Sequence, residues 1–443
     1  TFQQFLPPTA TPPPTHTPTP TSTPTPTPSP TPSPTPVPAA RIENADRAMY
    51  NGDWNLAIEE YKNALAQSSD AALRSAAQLG LGLARLNGGD PLGAISESAA
   101  FLQQFPDSPQ AADAYFLLGE AYRAAATWVQ SIEAYRRYLE LRPGVIDSYV
   151  NERIGQAAFF NQDYLTAAQA YRAASSAPRA GDSFDLQERL AETFAAAGDV
   201  DSAVAQYEAI YQATNQNWRK AHVDVAAGTL LYNAGRPEAA YAKFLDAVNN
   251  FPEAGDTFAG LLTLVNDNVA VDDLQRGLTN YYADNYEPAI AAFDRYLAAN
   301  ADNQDSQALY FKGLTLAALK RSDEAIATFR ELVDRFPNDN PYWTKAYFQI
   351  AFIQDYPSDA QTFEAFAAAL PSAPEAPDAL YRAARLHERN EDFPSAAQLW
   401  TRIAKEYPAS AQAADAAMQA GVVLYRAGDF VSAGQRFDLA SGL

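Results

Sequence analysis

Residues 191–207 read Ala191-Glu192-Thr193-Phe194-Ala195-Ala196-Ala197-Gly198-Asp199-Val200-Asp201-Ser202-Ala203-Val204-Ala205-Gln206-Tyr207. Two runs of helix-compatible residues flank a Gly-Asp turn, so the stretch predicts two helices joined by a tight turn. With Asp199 as anchor, equivalent turn residues recur at Asp53, Asp90, Thr127, Asp163, Arg236, Asn285, Arg321, Asp355, Asp392 and Asp429. In chain order the spacings are 37, 37, 36, 36, 37, 49, 36, 34, 37 and 37 residues. Self-similarity at a nearly fixed period marks a repeat architecture.

Three further positions keep the register. Eight residues before the anchors stand Ala45, Gly82, Gly119, Gly155, Ala191, Gly228, Gly277, Gly313, Tyr347, Ala384 and Gly421, of which ten in eleven are Gly or Ala. Four residues after them come Ala57, Ala94, Ser131, Ala167, Ala203, Ala240, Ala289, Ala325, Asp359, Ala396 and Ala433, again small in ten of eleven. Eight after them come Tyr61, Ser98, Tyr135, Tyr171, Tyr207, Phe244, Phe293, Phe329, Phe363, Trp400 and Phe437, aromatic in ten of eleven. Proline follows at sixteen in Pro106, Pro143, Pro252, Pro337, Pro371 and Pro408. Two helices cross closely only where side chains are small, an aromatic ring fills the wedge toward the next hairpin, and proline ends the unit. No unit can bury its apolar face alone, so stacking is expected to build the core.

This small–small–aromatic–proline pattern resembles the tetratricopeptide repeat (TPR) family over residues 41–443. The resemblance implies an all-α, right-handed TPR-type α-solenoid of about eleven helical hairpins. Six repeats occupy 41–252 and five occupy 273–443. The 49-residue interval leaves room at 253–272 for an extra helix near Thr257–Val265, with Asp256 as candidate N-cap and a kink expected there. The repeat around Asp355, with Tyr347 and Asp359 at normally small positions, is expected to be distorted. Phrases such as Phe105-Pro106-Asp107-Ser108-Pro109 look like TPR proteins of the bacterial cell envelope.

Ahead of the repeats the chain is a different polymer. From Pro7 to Pro38, 29 of 32 residues are Pro, Thr or Ser, and the tract carries no charge. Its proline content predicts an extended polyproline-II spacer spanning roughly 100 Å. Thr17, Thr19, Thr23, Thr25, Thr27, Ser29, Thr31, Ser33 and Thr35 are candidates for O-glycosylation, while no Asn-x-Ser/Thr sequon occurs. The tract favours an extracytoplasmic location, and the resemblance to cell-envelope TPR proteins implies a bacterial one. Residues 1–6 form a short apolar patch with Phe2, Phe5 and Leu6, too short to cross a membrane.

Composition narrows the chemistry. A net charge of −21 argues against nucleic acid as a partner, and the absence of cysteine excludes thiolate catalysis and zinc ribbons. The three histidines, His16, His222 and His387, are far apart, and His222 and His387 are expected on first helices as surface or groove residues. No phosphate loop, dinucleotide fingerprint or metalloprotease motif is present, so no cofactor, metal or catalytic set is expected. The long Ala-rich array behind a Thr/Pro linker resembles the non-catalytic arm of soluble lytic transglycosylases, whose catalytic Glu precedes a Ser. Glu97-Ser98 has that dipeptide, but Ser98 falls on the repeat's aromatic position and no Gly-Leu-Met-Gln equivalent follows. A catalytic domain, on that resemblance, would lie beyond Leu443.

The row eleven residues before each anchor projects into the concave groove in the family. Here it reads Ile42, Leu79, Phe116, Glu152, Glu188, Val225, Leu274, Tyr310, Thr344, Tyr381 and Met418. It lacks the Lys, Asn and Arg of carboxylate-clamping members. Phe116, Tyr310 and Tyr381 are the candidate contacts for an apolar peptide segment or a stacked sugar ring of a cell-wall glycan. The last repeat lacks a polar capping helix, so head-to-tail assembly of copies through Phe437, Leu443 and the Phe2/Phe5/Leu6 patch is a further expectation. The primary expectation is a non-catalytic scaffold that contacts a protein partner or copies of itself.

Overall fold

A computed structural model describes residues 37–302 and 305–442. Contacts group the chain into two compact units, Thr1–Ala121 and Tyr122–Leu443. The first contains α1 (Pro38–Tyr50), α2 (Trp54–Gln67), α3 (Ala71–Asn87), α4 (Pro91–Gln104) and most of α5 (Ala111–Ala124). In the second, α6 (Trp128–Leu141), α7 (Asp147–Phe160), α8 (Tyr164–Ser176), α9 (Phe184–Ala196) and α10 (Val200–Ala213) come first. Then follow α11 (Asn217–Asn233), α12 (Pro237–Asn250), α13 (Thr257–Asn266), α14 (Asp273–Tyr282), α15 (Tyr286–Ala299), α16 (Ser306–Ala318) and α17 (Ser322–Arg335). The series closes with α18 (Trp343–Ile353), α19 (Ser358–Ala369), α20 (Ala376–Arg389), α21 (Phe393–Glu406), α22 (Ala413–Arg426) and α23 (Phe430–Ser441). The described residues thus form eleven helix–turn–helix segments plus the single helix α13, and they contain no strand.

One turn makes ten of these segments alike. The residue before the anchor has positive φ, from 54° at Ala126 to 85° at Gly428. The anchor's own N–H then donates to the carbonyl five residues back, as from Asp53 to Ala48 at 2.9 Å and from Asp429 to Leu424 at 2.9 Å. This is a Schellman-type closure, which ends the first helix and satisfies its last carbonyls. The same anchor is the N-cap of the second helix. Asp53, Asp90, Asp163, Asp199, Asp392 and Asp429 each accept the backbone N–H three residues on, at 2.8–3.3 Å.

The turn puts residues eight before and eight after the anchor at equal height, about 12 Å up the two helices. There the aromatic ring lies directly on the glycine. A methyl group added to Gly155, Gly228, Gly277, Gly313 or Gly421 would fall 2.4–2.8 Å from Tyr171, Phe244, Phe293, Phe329 or Phe437. The far side of the ring meets the next first helix: Gly80 of α3 abuts Tyr61, and Gly260 of α13 abuts Phe244. In the second hairpin Ser98 supplies no ring, and Leu117 of α5 reaches Gly82 instead. The alanines four past each anchor are sealed in the core. All six repeat prolines stand one residue beyond the C-cap of a second helix.

The helix expected at Thr257–Val265 is α13, which packs on α11 and α12. Asp256 is its N-cap residue by position, yet its side chain does not cap the helix. It faces His222 instead, with Oδ2 3.1 Å from Nδ1. The ninth hairpin, α18–α19, departs from the others. It lacks the positive-φ turn, and Pro357 replaces Asp355 as N-cap. Tyr347 at the glycine position keeps a bulky ring between the helices, tilted against Trp343 at 5.0 Å and edge-on to Phe366 at 5.7 Å.

Gly313→Ala should lower stability by about 1–3 kcal/mol, because the added methyl overpacks against Phe329. Gly434→Ala, in open space on α23, should be neutral or slightly stabilising. Thermal melts of both variants check the contrast.

Candidate functional site

The side chains eleven before each turn occupy equivalent places on successive first helices. Ile42 on α1 and Phe116 on α5 are half-buried. On α7, Glu152 pairs with Arg179 at 3.3 Å, and the Arg179 guanidinium lies 5.0 Å from the Tyr149 ring centre. On α9, Glu188 repeats the arrangement with Arg219, also at 3.3 Å. Arg219 is buried between the rings of Phe184 and Trp218, at 4.6 and 4.8 Å. Burial pushes the Glu188 carboxyl up, against the opposing pull of His222 and Arg219.

Farther on, Val225 and Leu274 are core residues and offer no contact surface. Tyr310 on α16 sits 5.1 Å from Tyr342 and 5.9 Å from Phe329, ring centre to ring centre. Tyr381 on α20 meets the Trp400 ring at 4.7 Å and donates its hydroxyl proton to Asp415 Oδ2 at 3.0 Å. Tyr310 and Tyr381 are therefore two hairpins apart, each with one face engaged in packing. Met418 on α22 is exposed. Phe437 rests on Gly421 but stays half-buried, unlike its counterparts in the other hairpins. Phe2, Phe5, Leu6, Leu443 and the Thr/Ser glycosylation candidates lie outside the described residues.

The Glu97-Ser98 pair is tied into the repeat. Gln78 Nε2 and Arg85 Nε donate to the Glu97 carboxylate at 2.5 and 3.1 Å, while Ser98 is buried. His222 is half-exposed, between Asp256 and Glu188. His387 corrects the expectation of a surface or groove residue: it is buried. Its Nδ1 is 3.0 Å from Asp392 Oδ2 and its Nε2 is 2.9 Å from Glu364 Oε1. Two carboxylates from flanking helices let a polar ring occupy the interior, which periodicity along α20 alone does not reveal. Among the described residues no three His, Asp or Glu side chains gather as a metal site, and no helix is long and apolar enough to cross a membrane.

A buried carboxyl network escaped sequence reasoning. Asp224 on α11 is 2% exposed. Lys243 of α12 reaches Asp224 Oδ1 at 3.0 Å and also contacts Glu208 of α10. Asp224 Oδ2 has no donor, and the group within hydrogen-bond reach of this carboxyl is another carboxyl, Asp246. The pair is satisfied when a proton sits between them. Burial pushes Asp224 up to about 7, helped by Asp246 and opposed by Lys243. Asp246, which burial alone would raise, is held low by hydrogen bonds from Asp224 and Tyr211. Two acids on facing helices gave no linear signal.

The tetratricopeptide repeat family matches residues 42–109, 98–146, 153–217, 274–340, 357–411 and 381–441. No curated protein matches the chain. Among solved structures it is similar to MamA protein, with 21% identity, 39% of this chain and 88% of that one covered, and a TM-score of 0.34. It is also similar to Naa15/Naa10 bound to HypK-THB, with 14% identity, 91% and 68% coverage, and a TM-score of 0.37. A third similarity is to a tetratricopeptide repeat protein from Parabacteroides merdae, with 12% identity, 72% and 99% coverage, and a TM-score of 0.34.

The carboxyl network has a pH signature. Folded Asp224 holds its proton to about 7, whereas the ordinary carboxyl releases it at 3.8. Between those values the folded chain binds more protons than the unfolded one, so this contribution to stability falls as pH rises through about 7. Asp224→Asn, whose amide donates permanently to Asp246, should flatten that fall. Thermal melts from about pH 5 to about pH 8.5 should show the variant gaining on the parent toward alkaline pH.

Proposed function

We propose that this chain, which belongs to the tetratricopeptide repeat family, is a protein-interaction scaffold that works outside the cytoplasm and is not itself a catalyst. The observation that carries the reading is a set of exposed apolar side chains at individual hairpin turns. Two residues past the turn anchor, Asp201, Glu238, Glu287 and Asp323 put a negative charge in the first helical turn, where the helix dipole favours it. At the same position Leu92, Leu165 and Val431 are 71%, 73% and 77% exposed, and Val129 is exposed as well.

Neighbouring aromatics widen these places into patches. In the second unit Trp128 stacks on exposed Phe160 at 5.2 Å, beside Val129. On the last hairpin Tyr425 meets Phe430 edge-on at 5.0 Å, beside Val431, and all three are exposed. Clustered apolar side chains left in water are stabilised when another protein covers them. In a chain of net charge −21 they replace the acids that the same positions carry elsewhere, which favours contact surfaces over incidental exposure.

The finer reading adds a setting and a partner. The uncharged Thr/Pro/Ser tract supports an extracytoplasmic stalk carrying sugar on its threonines. The partner is another copy, joined head to tail through the last hairpin with Phe437, and reached by the Phe2/Phe5/Leu6 patch on its arm. Light scattering and negative-stain microscopy of the exported protein test this. Concentration-dependent assembly that Phe430→Ser with Val431→Asp suppresses is expected, whereas a chain that stays monomeric at every concentration contradicts the self-assembly reading.

A further inference from the structure

Ten of the eleven hairpins place alanine or serine four residues past the turn anchor, sealed in the core. The ninth places Asp359 there, and it is only 8% exposed. A buried carboxylate costs free energy unless donors or a cation compensate. Asp359 stands in the first turn of α19, where the helix dipole offsets part of that cost. Its Oδ1 accepts the Ala360 N–H at 2.7 Å. Among the described residues Oδ2 meets no donor and no cation pairs with the group.

Asp359 lines a cavity of about 410 Å³ bounded by α18, α19 and α20. The cavity lies at the hairpin whose small pair is missing, with Asp359 in the place of the alanine. Phe352 and Phe363 form its apolar wall, and α20 contributes Arg382, Arg385 and Arg389. Arg382 is engaged, with Nε 2.8 Å from Asp378 Oδ2 and its guanidinium 5.4 Å from the Phe352 ring centre. Arg385 has only a long 3.7 Å approach to Glu388, and Arg389 pairs with no carboxylate among the described residues. One space therefore collects a buried carboxyl group, two aromatic rings and two cations with unused donors. Its volume lies within the range of small-molecule sites.

We propose that this cavity binds a small zwitterion with an apolar body, the chemistry of a free apolar amino acid or a dipeptide. The ammonium group pairs with Asp359, the carboxylate with Arg385 and Arg389, and the side chain covers Phe352 and Phe363. A residue that breaks a register kept by ten other hairpins, at a cost to stability, is explained by that use.

Calorimetric titration of the whole chain with phenylalanine, the dipeptide Leu-Phe, its N-acetyl derivative and its C-terminal amide tests the assignment. Phenylalanine or Leu-Phe should bind, the tighter of the two marking the source, and each blocked dipeptide should be weaker than Leu-Phe by about tenfold or more. Asp359→Ala restores the residue found in nine other hairpins. It should melt at or above the parent temperature while losing affinity for the ammonium group. The Arg385→Ala, Arg389→Ala double variant should keep its melting temperature and no longer distinguish the free carboxylate from the amide. Three results would overturn the proposal: no binding of either free ligand, equal affinity for free and blocked dipeptides, or a clearly lowered melting temperature in Asp359→Ala. The last would make Asp359 a structural residue.

Discussion

An aromatic ring resting on a glycine is the contact on which the rest of the structure depends. In five hairpins there is no room for even a methyl group between Phe or Tyr eight residues past the turn and Gly eight residues before it. The turn fixes that pairing, because the Schellman closure and the N-cap together leave no slack in how the two helices leave it. Once the ring is seated, its other face is apolar and unfinished. The next first helix covers it, as Gly80 covers Tyr61 and Gly260 covers Phe244. Local turn chemistry, close crossing and long-range stacking are thus one chain of causes.

The exceptions show what the constraint controls. In the second hairpin a serine replaces the ring, and Leu117 takes its place on Gly82, so close packing survives by substitution from the following helix. At the long interval a lone helix, α13, is enough to cover Phe244, so the array tolerates half a unit. In the ninth hairpin both small positions are lost along with the turn, and there the helices leave a cavity of about 410 Å³. That space borders the buried carboxyl group of Asp359.

The architecture was legible because each of its determinants is local. Period, turn, small pair, aromatic and proline all sit within one unit, and even α13 could be placed from an interval and one cap candidate. What stayed hidden is what faces a residue from another helix. His387 reads as an ordinary polar position on α20, yet Glu364 and Asp392 converge on it from either side. Asp224 and Asp246 look like two acids in an acidic chain, but they share one buried site with Lys243. The row eleven residues before each turn reads as one lining, but Val225 and Leu274 are core and Tyr310 is half committed to packing. The candidate contacts Phe116, Tyr310 and Tyr381 follow from family register, and register does not say which ring face remains free.

A double-mutant cycle on Gly277 and Phe293, followed by equilibrium unfolding, measures the coupling between the glycine and the ring. If the ring on the glycine sets the crossing, Gly277→Ala costs about 2 kcal/mol in the parent and close to nothing once Phe293→Leu has removed the ring. Equal costs in the two backgrounds would mean that the glycine and the aromatic act independently, and would contradict the account.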